Sequence, residues 1–180
     1  MLFRSENDWV YTEQIGYKNH LHIIGAGHCA LVFSKVMQMM DFYIHLYDDR
    51  AGLNTFLANN YVHEKMIVGH YNELEKLIPS GENCYVVVMT FGYRTDDIAV
   101  RSLLHKKFKY FGLLGSKSKI KKMFAEYEKE GVDKTILKSL HAPIGLDIKS
   151  ETTEEIAISI SAEIIRVKNV GNIKSKFRSE

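Results

Sequence analysis

The stretch LHIIGAGHCALVFSKVMQMMDFYIHLYDDR, residues 21–50, contains two apolar runs joined by a glycine turn and a segment with helical periodicity. The turn GAGHCA, residues 25–30, fits the pattern G-x-G-x-x-[G/A] in the strand–turn–helix context that this pattern requires. Gly25 would allow the tight turn, Gly27 would let a pyrophosphate approach the backbone, and Ala30 would let the helix pack closely on the sheet. The stretch predicts a βαβ unit whose helix N-terminus binds a dinucleotide-like ligand. The alternative is a packing turn that binds nothing.

Two carboxylates end the second apolar run. Asp48 lies about 21 residues after Gly27, where a ribose-binding carboxylate is expected, and Asp49 follows it. A carboxylate at this position disfavours a 2′-phosphate, and Arg50 would partly offset that effect. We expect Asp48 to hold the sugar of the ligand, with Asp49 and Arg50 beside it.

The remaining turn residues, Ala26, His28 and Cys29, complete this candidate cofactor-binding site. Cys29 would lie in the first helical turn, where the helix dipole lowers the pKa of a thiol. The favoured alternative is a small buried packing residue. His28 lies one position from the phosphate site, and it either contacts the ligand or is a surface residue of the helix.

Along the chain, apolar runs alternate with segments of helical period. Strands are predicted at residues 21–25, 42–47, 65–68, 84–90 and 110–114, and helices at residues 28–40, 72–78, 96–108, 117–130 and from about Thr153. This alternation predicts an α/β fold of the Rossmann-like, doubly wound type, with a mainly parallel sheet and helices on both faces. We expect residues 1–20 to be an N-terminal extension, 21–168 a nucleotide-binding domain and 169–180 a flexible tail.

Composition narrows the class of protein. The net charge of +2 at pH 7 implies neither a nucleic-acid nor a membrane partner. No apolar run approaches the length of a membrane span, and the polar N-terminus does not resemble a signal peptide. The two cysteines predict a reducing cytoplasm rather than a disulfide framework.

Two later junctions add candidate residues. Thr90 and Asp96 follow the fourth strand, so they would face the crevice at the carboxyl ends of the strands. The alternative for Asp96 is the first turn of a helix capped by Thr95. Gly115 and Ser116 open the next helix, where Lys117 and Lys119 would meet an anion, unless Ser116 only caps the helix.

The segment HAPIGLDI, residues 141–148, combines a histidine, a proline and a carboxylate in one loop. His141, Pro143, Gly145 and Asp147 could line a binding site. On residue type alone, a structural loop is the more frequent explanation.

No metal or catalytic signature stands out. The eight histidines form no H-E-x-x-H pattern and no pairing with cysteine, so we expect no metal site. Tyr61 and Lys65 imitate a dehydrogenase pair, but they follow the second strand, which is the wrong region for that chemistry. No nucleophile-elbow sequence is present.

Taken together, LHIIGAGH, LYDDR, VVVMT with Asp96, YFGLLGSKSK, HAPIGLDI and ETTEEIAISISAEII resemble the C-terminal nucleotide-binding domain of the xanthine dehydrogenase accessory family (XdhC/CoxI type). The resemblance runs from about Glu13 to Val167, and it is most specific in HAPIGLDI and the helix after it. It implies a maturation factor that binds the molybdenum cofactor, molybdopterin or its dinucleotide. Such a factor would deliver the sulfurated cofactor to a molybdenum hydroxylase such as xanthine dehydrogenase, with a cysteine desulfurase as a further partner and a homo-oligomer as one possible state.

Three departures from the family pattern are visible. A smaller domain usually precedes this one, whereas only about twenty residues do so here. Phe91 stands where a histidine commonly follows the threonine of the fourth strand, which removes a potential ligand-binding group. Lys149 and Thr153 replace the usual glycine and proline.

Three functions remain open on sequence grounds. The first is a cofactor-binding chaperone without turnover, which explains a nucleotide-type turn that lacks a catalytic constellation. The second is an NAD(P)-dependent oxidoreductase, for which an acid/base pair and a substrate domain are missing. The third is a nucleotide-sensing module whose ligand biases its association with a partner.

Overall fold

The computed structural model describes residues 2–4, 9–11 and 16–170. Its strands are β1 (Leu2–Arg4), β2 (Trp9–Tyr11), β3 (His20–Ile24), β4 (Tyr43–Asp48), β5 (Glu64–Ile67), β6 (Gly81–Val88) and β7 (Phe108–Leu113). β1 and β2 pair antiparallel, while the other five strands form a parallel sheet in the order β5-β4-β3-β6-β7. This order confirms the predicted Rossmann-type α/β fold.

Seven helices accompany the strands in the described part of the chain: α1 (His28–Met37), α2 (Asn54–Ala58), α3 (Leu74–Leu77), α4 (Tyr93–Leu103), α5 (Lys117–Lys129), α6 (Lys134–Ser139) and α7 (Thr153–Asn169). α1 and α7 pack on one face of the sheet through buried residues such as Phe33 and Ile160. α4 and α5 cover the other face through residues such as Leu103 and Met123. Both faces are therefore covered, which agrees with the continuous apolar runs of the central strands.

Some predicted boundaries were wrong. The helix predicted at residues 96–108 ends at Leu103, because β7 begins at Phe108 to pair with Gly81 of β6. The segment predicted as a helix at residues 72–78 is a 3₁₀ turn (Tyr71–Glu73) followed by the single turn of α3. Residues 171–180 of the predicted tail lie outside the described residues.

The short α3 leaves part of its sheet face uncovered, and a histidine cluster (His20, His22 and His45) lies there. The rings of His22 and His45 stack with centroids 4.4 Å apart. His20 Nδ1 is 3.0 Å from His45 Nε2, and His45 Nδ1 is 2.7 Å from the carboxylate of Glu64. A cavity of about 470 Å³ opens beside the cluster. Polar side chains thus occupy a sheet face that a longer crossover helix would cover with apolar residues.

Candidate functional site

The candidate site lies at the carboxyl ends of β3 and β6, where the strand order reverses. β3 pairs with β4 on one side and with β6 on the other, so the crossover connections leave in opposite directions. Doubly wound sheets bind their ligands at such a switch point. A cavity of about 320 Å³ occupies it, lined by Gly27, His28, Cys29, Arg50, Met89, Thr90, Phe91 and Leu114.

Gly25 shapes the turn out of β3. Its φ of +100° lies in the left-handed region, and a Cβ there would clash with the carbonyl oxygen of Met89. Its N–H donates to the carbonyl of Tyr47 at 2.8 Å. Only glycine meets both the conformation and the close approach of β6.

Gly27 has a different environment. It is the N-cap residue of α1 with an ordinary φ of −71°, and a Cβ there would meet no described protein atom within 4 Å. The space beside it belongs to the cavity. Ala26 and Ala30 are buried, so they pack the turn rather than face this space.

The N-terminus of α1 has no side-chain cap, like those of α2, α3 and α4, whereas α5, α6 and α7 are capped by Ser116, Asp133 and Thr152. The first N–H groups of a helix have no intrahelical acceptor. In α1 these groups lie at the wall of the cavity, where an anion would satisfy them and interact favourably with the helix dipole.

Asp48 is fully buried and its carboxylate is saturated by donors. Oδ2 accepts from the Ala26 N–H at 2.7 Å and from Arg50 Nη2 at 2.8 Å. Oδ1 accepts from the Arg50 N–H at 3.0 Å and from Arg50 Nε at 2.8 Å. Burial alone would raise the pKa of Asp48, but these hydrogen bonds outweigh it and lower that pKa. A ribose hydroxyl would have to displace one of these donors, and sugar binding by Asp48 stays a prediction.

Arg50 and Phe91 form the mouth of the cavity. The Arg50 side chain is 36% exposed, and its Cζ lies 5.7 Å from the centre of the Phe91 ring. The Phe91 side chain is largely exposed. Asp49 is not a lining residue, and its carboxylate accepts from the Tyr71 hydroxyl at 3.2 Å.

Cys29 and His28 follow in α1. Cys29 is half-buried, and burial together with the nearby Glu154 raises the pKa of its thiol, although a backbone hydrogen bond opposes the shift. This direction favours a packing residue over a reactive thiolate. His28 is exposed at the first helical position and lines the cavity.

Thr90 lines the cavity, but Asp96 does not. Asp96 is fully buried in the first turn of α4 and accepts from the Thr90 N–H at 2.9 Å and from the Thr90 hydroxyl at 2.6 Å. It also forms an ion pair with Lys119. The anion that Lys119 meets is therefore this carboxylate, and the network joins the start of α4 to the start of α5.

Gly115 and Ser116 belong to the start of α5. The Ser116 hydroxyl accepts from the Lys119 N–H at 3.2 Å, so Ser116 is a helix cap. A Cβ at Gly115 would be 2.9 Å from the Lys119 side chain. Both residues thus have a structural explanation.

The HAPIGLDI loop is fastened to β7 and to α7. The N–H of His141 donates to the Phe111 carbonyl at 2.9 Å, and the His141 carbonyl accepts from the Leu113 N–H at 3.0 Å. Glu163 of α7 accepts from the Tyr110 hydroxyl at 2.6 Å and from the Gly145 N–H at 2.8 Å, and it lies 3.2 Å from His141 Nδ1. Burial opposes ionisation of Glu163, but these contacts hold its pKa at about 2.

The loop also lines a second cavity of about 390 Å³, which includes Pro143, Gly145, Asp147 and Lys117. Leu114 lines both this cavity and the one at the glycine turn. The side chain of Asp147 is exposed and 3.4 Å from Lys149 Nζ. The predicted residues that line a cavity are therefore divided between two adjoining cavities, one at the glycine turn and one at the HAPIGLDI loop.

The chain matches a known protein family over most of its length. Residues 21–164 match the model of the XdhC Rossmann domain. The chain belongs to the XdhC Rossmann domain family.

Relatives extend well beyond this domain. The chain is 30% identical over 164 residues to YqeB of Escherichia coli, covering 89% of this chain and 29% of that protein. It is 34% identical over 82 residues to a probable xanthine dehydrogenase subunit of Bacillus subtilis, covering 46% of this chain and 23% of that protein. The chain thus spans less than a third of the length of these curated relatives.

Two solved structures share the fold of this chain. A xanthine dehydrogenase structure from Bacillus halodurans superposes with a TM-score of 0.71 at 26% identity, covering 89% of this chain and 44% of that one. The oxidoreductase ylbE from Lactococcus lactis superposes with a TM-score of 0.53 at 12% identity, which shows a shared fold alone.

At two of the positions where the sequence departs from the family pattern, the structure of this XdhC Rossmann domain explains the residue that is usual in the family. Lys149 has a φ of +59°, the left-handed conformation that favours the glycine usual at this position. Thr153 is the first residue of α7, where proline is favoured because that N–H needs no intrahelical acceptor.

Sequence reasoning missed Glu163 and the pairing of Asp96 with Lys119. These partners are separated by 18 to 53 residues from the groups they bind, and no spacing pattern connects them. Among the described residues, no three His, Cys, Asp or Glu side chains are arranged to hold a metal ion. None of the helices described combines the length and the apolar character that crossing a bilayer requires.

Proposed function

We propose that this XdhC Rossmann domain binds the molybdenum cofactor, as molybdopterin or its dinucleotide, in the cavity at the glycine turn. The observation that carries the proposal is the uncapped N-terminus of α1 beside the open space at Gly27. A phosphate group placed there would accept from the first N–H groups of α1, without displacing any protein side chain.

The lining residues fit a ligand with both a phosphate and a flat ring. The exposed Phe91 ring offers a face on which a pterin or a base would stack, next to the Arg50 guanidinium. The adjoining cavity at the HAPIGLDI loop offers further room for a dinucleotide. When bound, the molybdenum cofactor supplies the redox chemistry of a hydroxylase, while this chain would only hold and orient it.

The partner we propose is a molybdenum hydroxylase of the xanthine dehydrogenase type. The names of the Bacillus subtilis relative and of the Bacillus halodurans structure support this class of partner. In this account the domain assists cofactor insertion in the cytoplasm without turnover of its own. A cysteine desulfurase would supply the sulfur, and association of the domain with itself is compatible with the proposal.

Substitution of Gly27 tests the site. Gly27→Val places a branched side chain in the cavity, yet its Cβ meets no described protein atom within 4 Å, so the variant should fold. Gly52→Val is the matched control, because a Cβ at Gly52 also meets open space and Gly52 does not line the cavity.

Isothermal titration with molybdopterin measures the effect, together with mass spectrometry of the small molecules that copurify. We expect binding by the wild type and the control, and at least about a tenfold loss in Gly27→Val, which corresponds to about 1.4 kcal/mol. Equal affinity in all three proteins would contradict the site. Failure of the wild type to bind molybdopterin, with NADH consumed in the presence of a carbonyl substrate, would replace the proposal with an oxidoreductase.

A further inference from the structure

We infer that Arg50 makes the glycine-turn cavity selective for a ligand that presents a phosphate monoester near the end of β4, over a ligand that presents free sugar hydroxyls there. The inference rests on the proposed function, because it concerns the ligand of the same cavity. Within that function it favours molybdopterin, which ends in a phosphate monoester, over its dinucleotide, in which that phosphate is bridged to a nucleoside with free sugar hydroxyls. It differs from the sequence-based expectation, in which Asp48 receives the sugar.

The carboxylate of Asp48 has no free acceptor position. Each carboxylate oxygen already accepts two hydrogen bonds, from Ala26 N–H, Arg50 N–H, Arg50 Nε and Arg50 Nη2, and the side chain is fully buried. A carboxylate offers about four acceptor positions in total. A sugar hydroxyl therefore finds no free acceptor on Asp48, and displacing a charged donor from a buried carboxylate is costly.

The guanidinium of Arg50 is held in one orientation by Asp48. The two contacts of its guanidinium with Asp48, both 2.8 Å, fix its plane. Among hydrogen bonds between the described residues, Arg50 Nη1 donates none, and Arg50 lines the cavity. The remaining donors of a fixed guanidinium are suited to a phosphate, because little conformational entropy is lost when it binds.

The described side chains that line the cavity around Arg50 include no carboxylate. Asp49 is the carboxylate closest to Arg50 after Asp48, with its Oδ1 3.6 Å from Nε, but it is not a lining residue of the cavity. The other polar lining side chains are those of His28, Cys29 and Thr90, and none of them carries a negative charge near neutral pH. A phosphate monoester, which carries close to two negative charges at pH 7, is therefore not opposed by the lining.

The test uses NADP⁺ and NAD⁺, which differ only in a 2′-phosphate monoester, and molybdopterin, which ends in a phosphate monoester. The proteins are the wild type, Arg50→Gln and the control Arg101→Gln. Arg101 is equally exposed (36%) and also pairs with carboxylates, those of Asp97 and Glu130, but it does not line the cavity. Thermal melting of each variant reports whether it is folded.

We expect the wild type and Arg101→Gln to bind NADP⁺ at least about tenfold more tightly than NAD⁺. Arg50→Gln should lose that preference, because NADP⁺ loses the guanidinium while the freed oxygens of Asp48 accept from the sugar of NAD⁺. If neither nucleotide binds, a loss of about tenfold or more in molybdopterin affinity in Arg50→Gln supports the inference. Equal or tighter binding of NAD⁺ by the wild type overturns the inference and leaves the proposed function standing, and so does unchanged molybdopterin affinity in Arg50→Gln. An unfolded Arg50→Gln leaves the comparison of nucleotides in the wild type to decide. If the wild type binds none of the three probes, the proposed function fails with it.

Discussion

Gly25 and Gly27 occupy the same turn for different physical reasons. Gly25 is required by its left-handed backbone and by the approach of Met89, so it serves the fold. Gly27 is required by neither, because its φ is ordinary and its surroundings are open. Its small size matters only if a ligand fills the space beside it. The second glycine of the pattern is thus the one whose explanation depends on function.

Alanine substitution separates these two roles. Gly25→Ala should destabilise the domain by about 1–3 kcal/mol from its backbone conformation alone, with the clash against Met89 adding to that cost. Gly27→Ala should leave the free energy of unfolding nearly unchanged. Chemical denaturation of both variants measures the difference, and an equal loss in the two variants would show that Gly27 also has a packing role.

At the same scale, Glu163 fastens the HAPIGLDI loop. Its pKa of about 2 lies below the ordinary glutamate value, so the stability it contributes is present above that ordinary value and is lost as the pH falls towards 2. Glu163→Gln should cost about 1–3 kcal/mol at pH 7, because a charged acceptor for the Tyr110 hydroxyl and the Gly145 N–H is lost. Denaturation at pH 7 and at pH 2 should show that the difference shrinks in acid. A difference that is independent of pH would mean that the charge of Glu163 does not stabilise the loop.

At the scale of elements, the shortness of α3 explains the polar patch on its sheet face. A helix rises about 1.5 Å per residue, so α3 and the 3₁₀ turn before it cannot span the length of the neighbouring strands. The histidine cluster lies beside the end of α3, at the cavity that Leu77 of α3 also lines. Within it, His22 is bonded to the Tyr47 hydroxyl at 3.0 Å and is almost completely buried.

Burial, followed by the nearby His45 and His20, lowers the pKa of His22 to about 3. The unfolded chain therefore binds a proton that the folded chain excludes, and stability should fall as the pH drops below the ordinary histidine value of about 6.5 towards 3. His22→Gln should flatten the dependence of Tm on pH between 6.5 and 4. His105→Gln, which removes a histidine whose side chain is 57% exposed, is the control for the loss of one histidine. The same slope in all three proteins would show that His22 is not the group that titrates.

The N-terminus of α7 provides a second prediction at this scale. Thr152 and Glu155 form a capping box, with the Thr152 hydroxyl accepting from the Glu155 N–H at 3.2 Å. Thr152→Ala should cost about 1 kcal/mol of stability, which is typical of the loss of an N-cap. Urea denaturation measures it. An unchanged midpoint would mean that tertiary packing alone holds this end of α7.

For the molecule as a whole, the sequence predicted the architecture better than the site. The central strands are continuous apolar runs, α7 has a clear helical periodicity, and the glycine turn has a fixed local pattern, so the Rossmann-type fold could be predicted from them. The short helices α2 and α6 were missed, because five or six residues are too few for a periodic signal.

The candidate site was harder to predict from the sequence, because its contacts join residues that lie far apart in the chain. A carboxylate at Asp48 predicted a ligand contact, but whether it is free depends on where the Arg50 side chain turns. Likewise, Asp96 was equally compatible with the crevice and with the first turn of a helix. In the structure it lies in the first turn of α4 and pairs with Lys119, 23 residues later. Such pairings depend on packing between elements, which local patterns do not encode.

The central claim is that a phosphate group binds at the N-terminus of α1. Titration of the ¹⁵N-labelled chain with molybdopterin, followed by amide chemical shifts, tests it most directly. We predict the largest shifts at the amides of Gly27, His28 and Cys29, with smaller ones at Arg50 and Thr90. Shifts concentrated at the histidine cluster, with the α1 amides unmoved, would contradict the claim.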